Sequence, residues 1–98
     1  MKPKIEVDFN ELIGNNQILL SQTDFRKDVY GNDISLTEGL EIDIFDVDYD
    51  DNNERDDIVA SGVVTQCKNP LYKHVKWCCE IDSNWIRHMS DLWQKKNF

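Results

Sequence analysis

Residues 40–44 read LEIDI, with Leu40, Ile42 and Ile44 alternating against Glu41 and Asp43. A period of two sets successive side chains on opposite faces of a strand, and a helix cannot give one apolar face from it. The pattern recurs. Ile5, Val7 and Phe9 alternate with Glu6 and Asp8, and Val75, Trp77, Cys79 and Ile81 alternate with Lys76, Cys78 and Glu80. Residues 58–67, IVASGVVTQC, are rich in β-branched side chains, which pack well on a pleated surface. A further apolar run, Ile18, Leu19 and Leu20, follows a turn at Gly14-Asn15-Asn16. Gly31-Asn32-Asp33 and Glu38-Gly39 read as tight turns, Pro70 breaks the chain, and Gly62 marks a bulge or a close backbone approach.

These segments predict an all-β fold, either a small barrel or a strongly bent antiparallel sheet of five to six strands. The C-terminal stretch admits two readings. A turn at Asp82-Ser83-Asn84-Trp85 with a strand over 86–90 would supply a closing partner, and a short C-terminal helix or a loose tail would follow. Alternatively, Ser83 caps a helix whose stripe is Trp85, Ile86, Met89, Leu92 and Trp93. The hairpin is favoured, with Ile81 opposite Ile86.

The 98 residues suit one domain, 1–98, and 40% apolar content is enough for one modest core. No apolar run approaches the ~20 residues of a membrane helix. The first residues alternate instead of forming the apolar core of a signal peptide, so the expected location is cytoplasmic. Three cysteines, two of them adjacent, make a poor disulfide framework and predict free thiols.

The net charge is confined to one place. The net charge is −8, and residues 41–57 hold nine acids and one base, Arg55, leaving ten of each elsewhere. That face repels phosphate, which disfavours nucleic acid as a partner. The stretch DVDYDDNNERDD puts Asp46, Asp48, Asp50 and Asp57 at positions one, three, five and twelve of an EF-hand-like loop. Position six is Asp51 where a sharp turn needs glycine, and position twelve is an aspartate rather than a bidentate glutamate. The remaining uses of such a loop are a solvated turn, a non-EF calcium loop, or an acidic surface that steers a basic protein. The candidate partner-binding residues are Asp46, Asp48, Asp50, Asp51, Glu54, Asp56 and Asp57. No cofactor is called for and no residue is assigned as a metal ligand.

The vicinal Cys78–Cys79 pair raises zinc and nucleophile readings. Pairing residues 58–67 with 74–81 so that Cys67 faces His74 sets Val64 against Trp77, Gly62 against Cys79 and Ala60 against Ile81. Alternation then sends Cys79 inward with Val75, Trp77 and Ile81, and Cys78 outward between Lys76 and Glu80. His74 and Cys78 would stand roughly 13 Å apart along the strand. Zinc ligands must sit at about 2.0–2.3 Å from the ion, so this pattern makes no cage. The C-terminal hairpin would bring His88 opposite Cys79, the one arrangement in which a base could activate a thiol. Burial among apolar neighbours works against that dyad. Trp77, Trp85 and Trp93 are expected as core or closing residues, since a base-stacking platform needs more nearby cations than this chain offers.

Around LTEGLEIDIFDVD the chain resembles SH3-like small barrels, in which an EG turn opens an alternating strand that ends in an acidic loop. The resemblance covers about residues 34–81 and implies a binding module rather than an enzyme. The aromatic cluster and prolines of the peptide-binding members are missing here, so their specificity does not carry over. As a whole the chain is also similar to a small bacterial protein family, which implies no particular function. The expectation is a non-enzymatic module that binds a basic protein surface through its acidic loop, with divalent-cation binding by that loop as the alternative.

Overall fold

The computed structural model describes residues 2–96, with side-chain surroundings through residue 92. The alternating segments become the strands β1 (Lys4–Glu6), β2 (Leu12–Ile13), β3 (Gln17–Ser21), β4 (Phe25–Lys27), β5 (Asp33–Ser35), β6 (Glu41–Asp46), β7 (Ile58–Gln66), β8 (Trp77–Ile81) and β9 (Arg87–His88). One helix, α1 (Met89–Lys96), follows directly on β9. The protein is thus mainly β with a short C-terminal helix, as the periodicity implies.

One sheet runs β1-β6-β7-β8-β3-β2, with β9 attached to β7, and β4–β5 form a separate ribbon. The sheet is mixed rather than purely antiparallel, because β1 lies parallel to β6 with Ile5 beside Ile44. β1 and β2 end the path unpaired with each other, and ladder closure into a barrel is not seen among the described residues. A side chain spans part of the gap instead. The Arg26 guanidinium on β4 donates to the carbonyls of Glu6 and Leu20, tying β1 to the outer edge of β3. The ribbon itself, unanticipated in a stretch so polar, turns on Asp28, which is buried and whose Oδ1 accepts from the amides of Tyr30 and Asn32.

Ile5, Ile18, Ile42, Ile44, Val64, Trp77, Cys79 and Ile81 share the main core. Each fully buried aliphatic side chain contributes about 1.5–3 kcal/mol relative to exposure. Trp77 keeps its indole edge satisfied by donating to Asp24 Oδ1 at 3.0 Å, and Lys76 Nζ meets the same oxygen at 2.7 Å. Lys76 first, then Trp77, pulls the Asp24 carboxyl below its ordinary range. Gly62 faces Ile81 in the β7–β8 ladder. A Cβ there would run into the Glu80 carbonyl and stand 2.9 Å from Cys79 Sγ, so the predicted close approach is real.

Two pairings differ from the sequence-based expectation. β7 and β8 meet as Val64↔Cys79 and Gly62↔Ile81, two residues away from the register that sets Cys67 opposite His74. A slip of two preserves which face each side chain takes, so Ala60, Val64, Trp77, Cys79 and Ile81 still line one core. Val75 does not join them. It precedes β8 and turns to the opposite side of the sheet, where it packs with Ile13 and Cys78. The second difference is at the C-terminus. The turn at residues 82–85 forms, with Trp85 N bonded to Asp82 O at 3.1 Å, but the strand after it pairs with β7 rather than β8. β8 already has β7 and β3 on its two edges, which leaves no edge for a further strand. Trp85 is therefore 41% exposed instead of closing a core, and Trp93 lies outside the residues whose side chains are described.

Candidate functional site

The hairpin between β6 and β7 carries the excess charge, and its carboxylates divide into two groups. Those at its base are bonded to the chain itself. Asp46, opposite Ile58 at the end of β6, accepts from the Phe9 amide at 3.1 Å through Oδ2. Asp48 Oδ2 lies 3.3 Å from His88 Nε2. Asp56 receives both the amide (2.9 Å) and the hydroxyl (2.8 Å) of Ser90, at the start of α1. Those two Ser90 bonds hold the Asp56 carboxyl below its usual range. Asp57 makes a two-pronged pair with Arg55, Nε to Oδ1 at 2.8 Å and Nη2 to Oδ2 at 3.1 Å, which lowers its pKa likewise. The Asp57 carbonyl also accepts from the Met89 amide at 2.9 Å.

Beyond the Tyr49↔Arg55 bridge the hairpin narrows to a tip. Here Asp50 builds the turn, its Oδ1 accepting from the amides of Asn52 (2.9 Å) and Glu54 (3.0 Å). Asn53 takes a left-handed backbone at φ 65°, a conformation asparagine tolerates better than most residues. Residues 49–55 are all exposed, Tyr49 at 59%. Among the described residues, Asp51 and Glu54 have no side-chain hydrogen bond or ion pair. The sequence flagged all seven acids alike. The structure keeps them on one hairpin and separates five bonded carboxylates, four at the base and Asp50 in the turn, from Asp51 and Glu54 at the tip.

That separation bears on the calcium-loop spacing. Asp46, Asp48, Asp50 and Asp57 stand at its positions one, three, five and twelve, yet each turns to a different donor of its own chain. Among the described residues no three histidine, cysteine or carboxylate side chains converge as a metal cage.

The cysteine strand resolves differently from its expected layout. Cys79 is fully buried opposite Val64 and Ile18, whereas His88 lies beside Ile58, so the two do not form a dyad. Burial pushes the Cys79 thiol up to about 12. Cys78, expected to face solvent, is also fully buried. The loop after β7 folds back over the outer face of the sheet through a 3-10 turn at Pro70–Tyr72, and a second small cluster forms there. Tyr72, Val75, Ile13, Leu19 and Cys67 cover Cys78. Alternation fixed its face correctly, but not what would lie on that face.

No family model, curated protein or solved structure matches this chain. Among the described residues, no helix is long and apolar enough to cross a membrane.

Proposed function

We propose that this protein is a non-enzymatic binding module that engages a protein partner with a basic surface through the tip of the β6–β7 hairpin. One observation carries the reading: Asp51 and Glu54 stand exposed and unpaired beside Tyr49, while the neighbouring carboxylates are consumed in holding the hairpin and α1. Unpaired carboxylates lose no internal bond when a partner's lysines or arginines reach them. Concentrated charge of one sign speeds encounter with the opposite sign and selects against acidic surfaces. The exposed Tyr49 ring adds an amphipathic contact of the kind enriched at interfaces.

The test is affinity capture from the native host with the protein and with its Asp51→Asn, Glu54→Gln double variant. The reading predicts a partner retained at low ionic strength, released as salt rises, and lost with the variant. Retention by both proteins alike would sink it, as would retention that strengthens with salt. Calcium is a useful control. A calcium-dependent rise in melting temperature, removed by Asp48→Asn and Asp50→Asn, would favour a cation-binding loop instead.

A further inference from the structure

Cys67 and Cys78 lie on the side of the sheet opposite the main core, under the loop that joins β7 to β8. Thr65 faces Cys78 in the ladder, and the Cys67 amide bonds to the Lys76 carbonyl at 3.0 Å just past the end of β7. The two cysteines are thus diagonal neighbours across the β7–β8 pair, a relation that sets residues about 7–8 Å apart. Cys67 also packs against the small cluster that holds Cys78, near enough for its thiol to help raise the Cys78 pKa. Cys79 points the other way, into the main core with Val64 and Ile18. Of the two members of the vicinal pair, Cys78 is the one on the same side of the sheet as Cys67.

The two thiols differ in access. Cys78 is fully buried, while Cys67 is half-buried just past the end of β7, its amide bonded to the carbonyl of Lys76 ahead of β8. A disulfide needs its Cα atoms within roughly 7 Å. Cys67 is beyond the last ladder residue, Gln66, so a small backbone shift there need not break the sheet.

We propose that Cys67 and Cys78 form an oxidisable thiol pair, in which a hydroperoxide converts them to an intramolecular disulfide across the β7–β8 loop while Cys79 stays reduced. In the first step the Cys67 sulfur attacks one peroxide oxygen and the O–O bond breaks. Cys67 becomes a sulfenic acid, and the leaving oxygen departs as water (or as an alcohol from an organic peroxide) with the Cys67 proton. In the second, the Cys78 sulfur displaces the hydroxyl from Cys67, and that hydroxyl leaves as water with the Cys78 proton. Two thiols lose two electrons, and the peroxide oxygens take them up. The bond would pin a loop that carries Lys68, Lys73 and His74 and has no acid between Cys67 and Trp77.

The experiment treats the full-length reduced protein with hydrogen peroxide at neutral pH. Remaining thiols are then alkylated in denaturant, and tryptic peptides are mapped without reduction. Alkylatable thiols should fall from three to one, with residues 56–68 joined to 77–87. Fragmentation of that joined peptide should place the link on Cys78 and the alkyl group on Cys79. Cys79→Ala should leave the joined peptide intact, and Cys67→Ala should abolish it. The proposal fails if the link is to Cys79, if it forms only between molecules, or if Cys67 ends as sulfinic acid with Cys78 still alkylatable. Because the bond is read from the wild-type peptide, a poorly folding variant does not change the outcome.

Discussion

The two ends of β7 carry opposite solutions to the same geometry. At its start, the β6–β7 hairpin sends an acidic tip into water and anchors only its base, through Asp48 to His88 and Asp56 to Ser90. At its end, the β7–β8 loop folds back, buries Cys78 beneath Tyr72 and Val75, and leaves its lysines outside. The strand spans nine residues, about 30 Å by strand rise, several times the screening length near 8 Å at physiological salt. The acidic end and the basic loop therefore act as separate electrostatic surfaces. One end is built for exposure, the other for packing, and substitutions should separate them.

The largest effect belongs between the two ends, where both depend on the same strand. Gly62→Ala should cost about 2–4 kcal/mol in denaturant unfolding, because the new Cβ meets the Glu80 backbone rather than a movable side-chain end. A value near zero would mean that β7 and β8 separate more easily than their contact implies.

At the packed end, Cys78→Ser should cost about 1–3 kcal/mol, the penalty of a hydroxyl buried among Ile13, Val75 and Tyr72. The same end gives an alkaline signature. Burial raises Cys78 and Cys79 from 9.0 to about 12, and for Cys78 the neighbouring Cys67 thiol adds to the rise. A folded pKa above the unfolded value stabilises fully below the unfolded value and is lost as pH climbs to the folded one. Stability should therefore decline between about pH 9 and 12. A Cys78→Ala, Cys79→Ala variant should flatten that decline in pH-resolved chemical unfolding.

The hairpin base should show a smaller effect of opposite pH sign. The Asp56 and Asp57 carboxyls are held below their ordinary range, so their contribution is present above that range and lost as pH falls through the lowered values. Protection of the Met89 and Ser90 amides, corrected for the pH dependence of intrinsic exchange, should then fall on acidification before that of β8 does, and Asp56→Ala should reproduce the effect at neutral pH. Uniform exchange across both regions would remove the distinction between base and core. Smallest of all, Asp51→Asn with Glu54→Gln should leave the melting temperature unchanged within error.

Much of this layout was legible in the sequence. The strands at 4–6, 41–46 and 77–81, the turns at Gly39 and at residues 82–85, and the tight passage at Gly62 follow from alternation and turn chemistry. Pairing was less accessible. Period two fixes the face but not the register, so a slip of two between β7 and β8 leaves the pattern unaltered. That β9 joins β7 depends on which edges remain open, a property of the assembled sheet. The burial of Cys78 depends on a loop folding back, and no local pattern encodes that. For the acidic stretch, composition located the hairpin, while the division between bonded base and free tip needed the positions of Ser90, His88 and Phe9.

The central claim, that the free tip is the contact surface, is tested most directly by amide chemical-shift mapping on the labelled protein with its captured partner. Perturbations should concentrate at residues 49–55 and fade toward the Asp46↔Ile58 pair. Perturbations centred on the exposed Phe25, Val29 and Tyr30 of the β4–β5 ribbon, or on Lys68 to His74, with the tip silent, would contradict it.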